Sequence, residues 1–196
     1  MSASQEKVDP RVKRTHQLLQ KALIELLKEK EFRKITVQDI TERAGVNRAT
    51  FYDRYEDKFA LLNAWIKEDF QARLDAKISP GARLTLDNLR LLILTACDYL
   101  KGFIGHCAPS THHDEQMIMV LQVQRTIHET ILKWSAHSAN PPRQAHVPPE
   151  MVATVMSMAI VGSVMEWAMN GRKVSAEQLT DQILFLLTSG PAASLI

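Results

Sequence analysis

The sequence predicts an all-α protein of about nine helices, and three observations carry that prediction. Apolar residues recur at helical spacing along most of the 196 residues. Helix start and stop signals punctuate the chain: Asp9-Pro10, Thr36, Asn47 and Asp57 suit starts, and Gly45 and Gly171 suit ends. No stretch alternates convincingly as a strand, and no internal repeat is visible.

The first helix opens at Asp9-Pro10, an N-cap followed by proline at the first helical position, and runs to about Lys30. Val12, Leu19, Ala22, Leu23, Leu26 and Leu27 line one face. Arg11, Lys13, Arg14 and Lys21 lie outside that stripe, where a solvated face is the ordinary fate of such charges. Residues 1–8 read as a disordered arm, and Glu31 to Lys34 as a short connection.

The stretch from Ile35 to Lys58 organises the rest. Thr36 and Asp39 make a capping-box-like start, with Asp in place of the usual Glu or Gln. Val37, Ile40 and Ala44 fall on one face. Gly45 suits a left-handed C-terminal position, and Val46 can plug the space between helices. Asn47 caps a second helix, Arg48 to Tyr55, and Asp57 caps a third start at Lys58. Helix, glycine turn, helix is the pattern whose second helix enters the DNA major groove. Glycine turns also join ordinary helical hairpins. Here, however, the second helix is too small and polar to be a core element, with Arg48, Thr50, Asp53 and Arg54 on its outer side.

On the residues Ile35-Thr36-Val37, Ala44-Gly45-Val46, Thr50-Phe51-Tyr52, Tyr55 and Asp57-Lys58, this segment resembles the TetR family of transcriptional regulators. With the preceding long helix, the likeness covers roughly the first third of the chain. It implies a three-helix DNA-binding domain over residues 9–57. It also implies a helical domain over 58–196 that binds a small effector and dimerises, with the helix 58–77 linking the two. Arg48 stands where base edges are nearest, and a guanidinium there can take guanine O6 and N7 together. Ala49 lets the helix approach and can touch a thymine methyl. Thr50, Tyr52 and Lys58 read as phosphate ligands, Lys58 at a helix N-terminus. Arg54 joins this surface, and Thr36 and Gln38 begin the supporting helix, where the family also touches DNA. The resemblance favours Arg11 and Arg14 as phosphate contacts too. Phe51 is core filler. Asp53 could accept from a cytosine amino group, but pairing with a nearby arginine is its expected role.

The long helix from Lys58 to about Lys77 has Phe59, Leu62, Ile66 and Phe70 as its buried stripe, with Trp65 beside it. Ser79-Pro80-Gly81 breaks the chain, and a very apolar helix follows from about Thr85 to Phe103. Gly102, Gly105 and Pro109 bracket a loop. Asp114 to about His137 is helical, with Met117, Val120, Leu121, Ile127, Ile131 and Trp134 as expected buried positions. Residues 139–149 hold four prolines and read as a loop. Helices follow from Glu150 to about Asn170 and from Ser175 to about Thr188. The residues Gly162-Ser163, Trp167, Asn170-Gly171 and Ser175-Ala176-Glu177-Gln178-Leu179 look like the C-terminal domain of a Gram-positive-type branch of TetR-like regulators.

Charge separates the two parts. Residues 1–80 carry 16 Lys and Arg against 13 Asp and Glu, and residues 81–196 carry 8 against 9. A basic end on a near-neutral remainder fits a DNA-contacting module joined to something else. Seven of the eight methionines fall after residue 116. An interior rich in methionine suggests an apolar or amphipathic effector, although plain packing explains most of these positions. The helix 150–170 is nearly uncharged around its circumference and must be covered on every side. It is expected to pair with 175–188 and their copies as a four-helix dimer interface, Leu179, Ile183, Leu186 and Leu187 supplying the matching stripe.

The segment His106-Cys107-Ala108-Pro109-Ser110-Thr111-His112-His113-Asp114-Glu115 gathers His, Cys and carboxylate, but its spacing fits no standard zinc motif. No metal and no cofactor is expected. Cys97 and Cys107 form no disulfide framework. No Gly-Ser elbow, P-loop or dinucleotide fingerprint points to an enzyme. The polar start is not a signal peptide, and no apolar run approaches the length of a bilayer span, so the cytoplasm is the expected compartment. The sequence therefore predicts a DNA-binding homodimeric regulator, a repressor as is usual in the family it resembles, released from DNA by a small-molecule effector. The alternatives are control by a protein partner or, more remotely, a metal-responsive helical protein.

Overall fold

The computed structural model describes residues 10–104, 113–137 and 147–189. Among them lie eight α-helices: α1 (Pro10–Glu29), α2 (Val37–Ala44), α3 (Arg48–Tyr52), α4 (Lys58–Asp75), α5 (Leu86–Ile104), α6 (His113–Ala136), α7 (Pro149–Met169) and α8 (Ala176–Ser189). A 3₁₀ turn, Phe32–Lys34, makes a ninth helical element, and no strand occurs among the described residues. The chain forms two compact units divided between Trp65 and Ile66, inside α4.

The N-terminal unit closes on a small apolar core. Leu19, Leu23 and Leu26 of α1 are buried, as are Phe32, Ile35, Ile40, Phe51, Leu61 and Leu62. Polar ties fix α2 against α1. Both guanidinium nitrogens of Arg43 donate to Glu29 at 2.8 Å, and the Lys30 ammonium meets Asp39 at 2.9 Å.

In the C-terminal unit α7 is the central element, packed on α5, α6 and α8. Its buried face is Ala153, Ser157, Ile160, Val161, Val164 and Ala168. The far half of α4 contributes Ile66, Phe70 and Leu74 to this second core, with Phe70 edge-on to Tyr99 of α5. The α7–α8 corner explains the residues that carried the C-terminal resemblance. Gly171 takes φ +76, a backbone region that favours glycine. The Trp167 indole N–H donates to the carbonyl of Val174 at 2.8 Å. Ser175 and Gln178 then form a reciprocal capping box for α8.

Four sequence expectations change. Phe59 is 44% exposed and lies edge-on to Phe32, while Leu61 takes the buried place on α4. Met117 and Leu121 of α6 are exposed, and the buried row runs through Met119, Val123, Ile127, Ile131 and Trp134. On α8, Leu179 and Ile183 are buried within the chain, leaving Phe185 and Leu186 outside. Finally, α7 has 21 residues and a mean hydropathy of 1.5 over its most apolar window, long and apolar enough to cross a membrane by length and composition. The sequence was expected to contain no such run. Scattered Ser, Thr and Gly break up its outline, yet the mean stays high. One side of α7 is already covered by three helices of its own unit.

Candidate nucleic-acid interface

The helix-turn-helix is built by local hydrogen bonds that the sequence dictates. The Thr36 hydroxyl accepts from the Asp39 backbone N–H at 3.1 Å, and Asp39 accepts from the Thr36 N–H at 2.7 Å, completing the capping box. Shortening Glu to Asp still closes the ring. The lysine partner Lys30 and the two Thr36 donors hold the Asp39 carboxyl at about 2, below the usual carboxylate range. Gly45 ends α2 at φ +67, where a side chain would be strained. Asn47 caps α3 by accepting from the Ala49 N–H at 2.9 Å.

Helix α3 is only five residues long, and Phe51 is its sole buried residue. So short a helix cannot persist alone; its orientation comes from tertiary ties. Phe51 packs against the rings of Tyr52 and Tyr55, with centroids 5.4 and 5.8 Å away. Downstream, the Lys58 ammonium donates to the carbonyls of Phe32, Arg33 and Ile35 at 2.8, 3.1 and 2.7 Å, and sits 4.7 Å from the Phe32 ring centre. Asp57 caps α4 through the Ala60 N–H. Together these contacts leave Arg48, Ala49 and Tyr52 exposed on one surface and Thr50 half-buried beside it. Arg48 reaches the Tyr52 hydroxyl at 3.4 Å and lies 5.9 Å from that ring's centre.

Other expected site residues stand as follows. Thr36 and Gln38 are exposed at the start of α2. The Thr36 hydroxyl is engaged with Asp39, and the Gln38 amide donates to Glu42 at 2.8 Å. Arg54 is half-buried, its Nε enclosed without a hydrogen-bond partner among the described residues, so it is partly drawn in from the outer side expected of it. Lys58 departs furthest from expectation: its ammonium is turned to three carbonyls, and the free phosphate-ligand geometry is absent. Asp53 is exposed at the end of α3, and the pairing with a nearby arginine is not made among the described residues. Arg11 and Arg14 are exposed on the first turns of α1.

One contact was not foreseen. His16 of α1, through Nδ1, is hydrogen-bonded to the hydroxyl of Tyr55, and the two rings stack with centroids 6.0 Å apart. The residues are 39 positions apart, and no local pattern in the sequence could pair them.

The C-terminal unit offers a cleft of about 360 Å³ lined by Leu74, Ile78, Trp134, Glu129, Thr130 and Lys133, among others. No group of three or more metal-ligating side chains occurs among the described residues. Most of the His106–Glu115 segment lies outside them. Burial pushes the Cys97 thiol up to about 11, leaving it a packing residue at neutral pH.

Capped supporting helix, left-handed glycine turn and a short exposed helix bearing Arg48 define a helix-turn-helix module of the type that docks in the DNA major groove. Residues 19–65 match the family described as bacterial regulatory proteins, tetR family. An uncharacterised HTH-type transcriptional regulator of Bacillus subtilis (strain 168), YxbF, is 40% identical over 72 residues. That match spans 36% of this chain and about a fifth (19%) of the relative's length. Solved structures extend the likeness of fold across most of the chain. A TetR transcriptional regulator from Rhodococcus sp. RHA1 superposes with a TM-score of 0.58 at 18% identity, over 93% of this chain and 98% of that one. FadR from Bacillus subtilis, solved in complex with stearoyl-CoA, gives 0.50 at 19% identity, over 89% and 98%.

Proposed function

We propose that the protein is a sequence-specific transcriptional regulator that binds operator DNA as a homodimer and is released from it by a small-molecule effector. The observation that carries the reading is the presentation of Arg48. It stands exposed at the first position of a helix whose inner side is anchored by Phe51 and whose start is capped by Asn47. Arg48 reads guanine, Ala49 and Thr50 flank it, and Tyr52 with Arg11 and Arg14 meets phosphates. Thr36 and Gln38 support the approach from α2. Arg54 and Lys58 add positive potential, with Lys58 chiefly closing the module behind α3.

One such helix reads few bases, and two-fold symmetry doubles the site. The second copy pairs through α7 and α8. Met151, Val155, Met158 and Met169 of α7 and Phe185 and Leu186 of α8 are exposed apolar side chains, and Gly162 lies open among them. An apolar helix face of this length is left bare only where something covers it. Three of the eight methionines, Met151, Met158 and Met169, are on the face we assign to assembly and do not argue for an apolar effector. The cleft against Trp134 lies at the small end of the range for ligand pockets and is our candidate effector site. A regulator of this kind works in the cytoplasm, where its DNA is.

The test is selection of bound duplexes from a randomised pool, followed by titration at several salt concentrations. An enriched inverted repeat, with affinity falling steeply as salt rises, is the expected result. No enrichment together with salt-insensitive or absent binding would reject the reading.

A further inference from the structure

The reading helix is too short to hold its own angle, and its ties are therefore part of recognition. Chain contacts lead from α1 to the base-reading arginine without a break. The His16 ring is bonded to and stacked on Tyr55. Tyr55, 8% exposed, leans on Phe51 at 5.8 Å. Phe51 meets Tyr52 at 5.4 Å, and Tyr52 carries Arg48 at 5.9 Å from its ring centre. Tyr55 lies three residues beyond the end of α3, and its N–H donates to the Phe51 carbonyl at 2.9 Å. Its hydroxyl reaches across to His16 on α1. On α1 the partner His16 follows Arg11 and Arg14, two exposed bases of the same helix.

We propose that His16 is a positioning residue for DNA recognition: by holding the Tyr55 hydroxyl it sets the angle of α3, and so places Arg48 on its base while Arg11 and Arg14 stand at the backbone. This rests on the DNA-binding reading above. Apolar packing of the Tyr55 and Phe51 rings would keep the segment folded without His16, but it would leave α3 free to rock about Phe51. The hydrogen bond removes that freedom, because it is directional where ring packing is not. Loss of the bond should therefore cost discrimination among sequences before it costs general attraction to DNA, which depends on charge alone.

Three variants test this. Tyr55→Phe keeps the ring and deletes the hydroxyl. His16→Leu keeps the bulk and deletes the hydrogen-bonding ring nitrogen. His16→Asn keeps a hydrogen-bonding atom near the place of Nδ1. Affinity is measured for the selected operator and for a random-sequence duplex of equal length at one salt concentration, with thermal melting followed alongside. Tyr55→Phe and His16→Leu should each weaken operator binding about 3- to 10-fold, the worth of one hydrogen bond, with random-duplex affinity held within about two-fold. The double variant should be no weaker than either single one, because both remove the same bond. His16→Asn should recover most of the operator affinity. Equal losses on both duplexes, additive losses in the double variant, or operator binding unchanged in Tyr55→Phe would overturn the inference. A wild-type protein that selects no operator would instead overturn the DNA-binding reading beneath it.

Discussion

At the scale of single residues, Lys58 shows how one cation can serve structure where sequence suggests a ligand. The 3₁₀ turn at Phe32–Lys34 leaves carbonyls that need donors, and the ammonium supplies them from the first position of α4. Lys58→Ala should therefore destabilise the N-terminal unit by about 1.5–3 kcal/mol, the range for hydrogen bonds to a charged group. It should also weaken all DNA sequences alike. Denaturant unfolding of wild type and variant checks it: an unchanged midpoint with lower DNA affinity would return Lys58 to a simple phosphate role. The caps Thr36, Asn47 and Asp57 were legible in the sequence because each acts on backbone within three residues. Pairings such as His16 with Tyr55 or Arg43 with Glu29 were not, because they are made by the fold and not by spacing.

At the scale of the element, periodicity found every helix but could not always choose its phase. In α6 the sequence offers two apolar rows. One runs through Met117 and Leu121, the other through Val123, Ile127 and Ile131, and only packing decides that the second is buried. In α4, Phe59 falls on the expected stripe but sits in the first turn, where Phe32 covers only its edge. Helix α2 allows a pH test. Asp39 is held as a carboxylate by Lys30 and Thr36, with its folded value at about 2. An ordinary aspartate in the unfolded chain titrates near about 3.9. A depressed carboxyl contributes stability that is fully present above the unfolded value and is lost as pH falls through the folded one. Melting of the N-terminal unit should thus weaken between about pH 4 and pH 2, and the dependence should flatten in Asp39→Asn. A profile unaltered by that substitution would show that other carboxylates govern the acid transition.

At the scale of the whole molecule, α7 and α8 leave an apolar face exposed among the described residues. A Cβ added at Gly162 meets nothing within 4 Å, so a larger side chain there is accommodated by a single chain. Gly162→Glu should accordingly leave helical content intact, yield a monomer in sedimentation equilibrium, and lose operator binding. A folded dimer that still binds operator would place the interface elsewhere. The sequence announced α7 as a helix needing cover on all sides, and it named α8 as a partner. It misassigned Leu179 and Ile183 because side chains facing a sister helix and those facing a second subunit are equally apolar.

In the proposed reading, Arg48, held at the front of α3, reads a base in each of two symmetric half-sites. The most direct measurement is to repeat the duplex selection with Arg48→Ala beside wild type and compare the enriched sequences position by position. Preference should relax at one base pair per half-site, the two positions related by the two-fold axis, with a loss of about 1–3 kcal/mol at each. An identical motif from both proteins, or equal weakening on operator and random DNA, would contradict it.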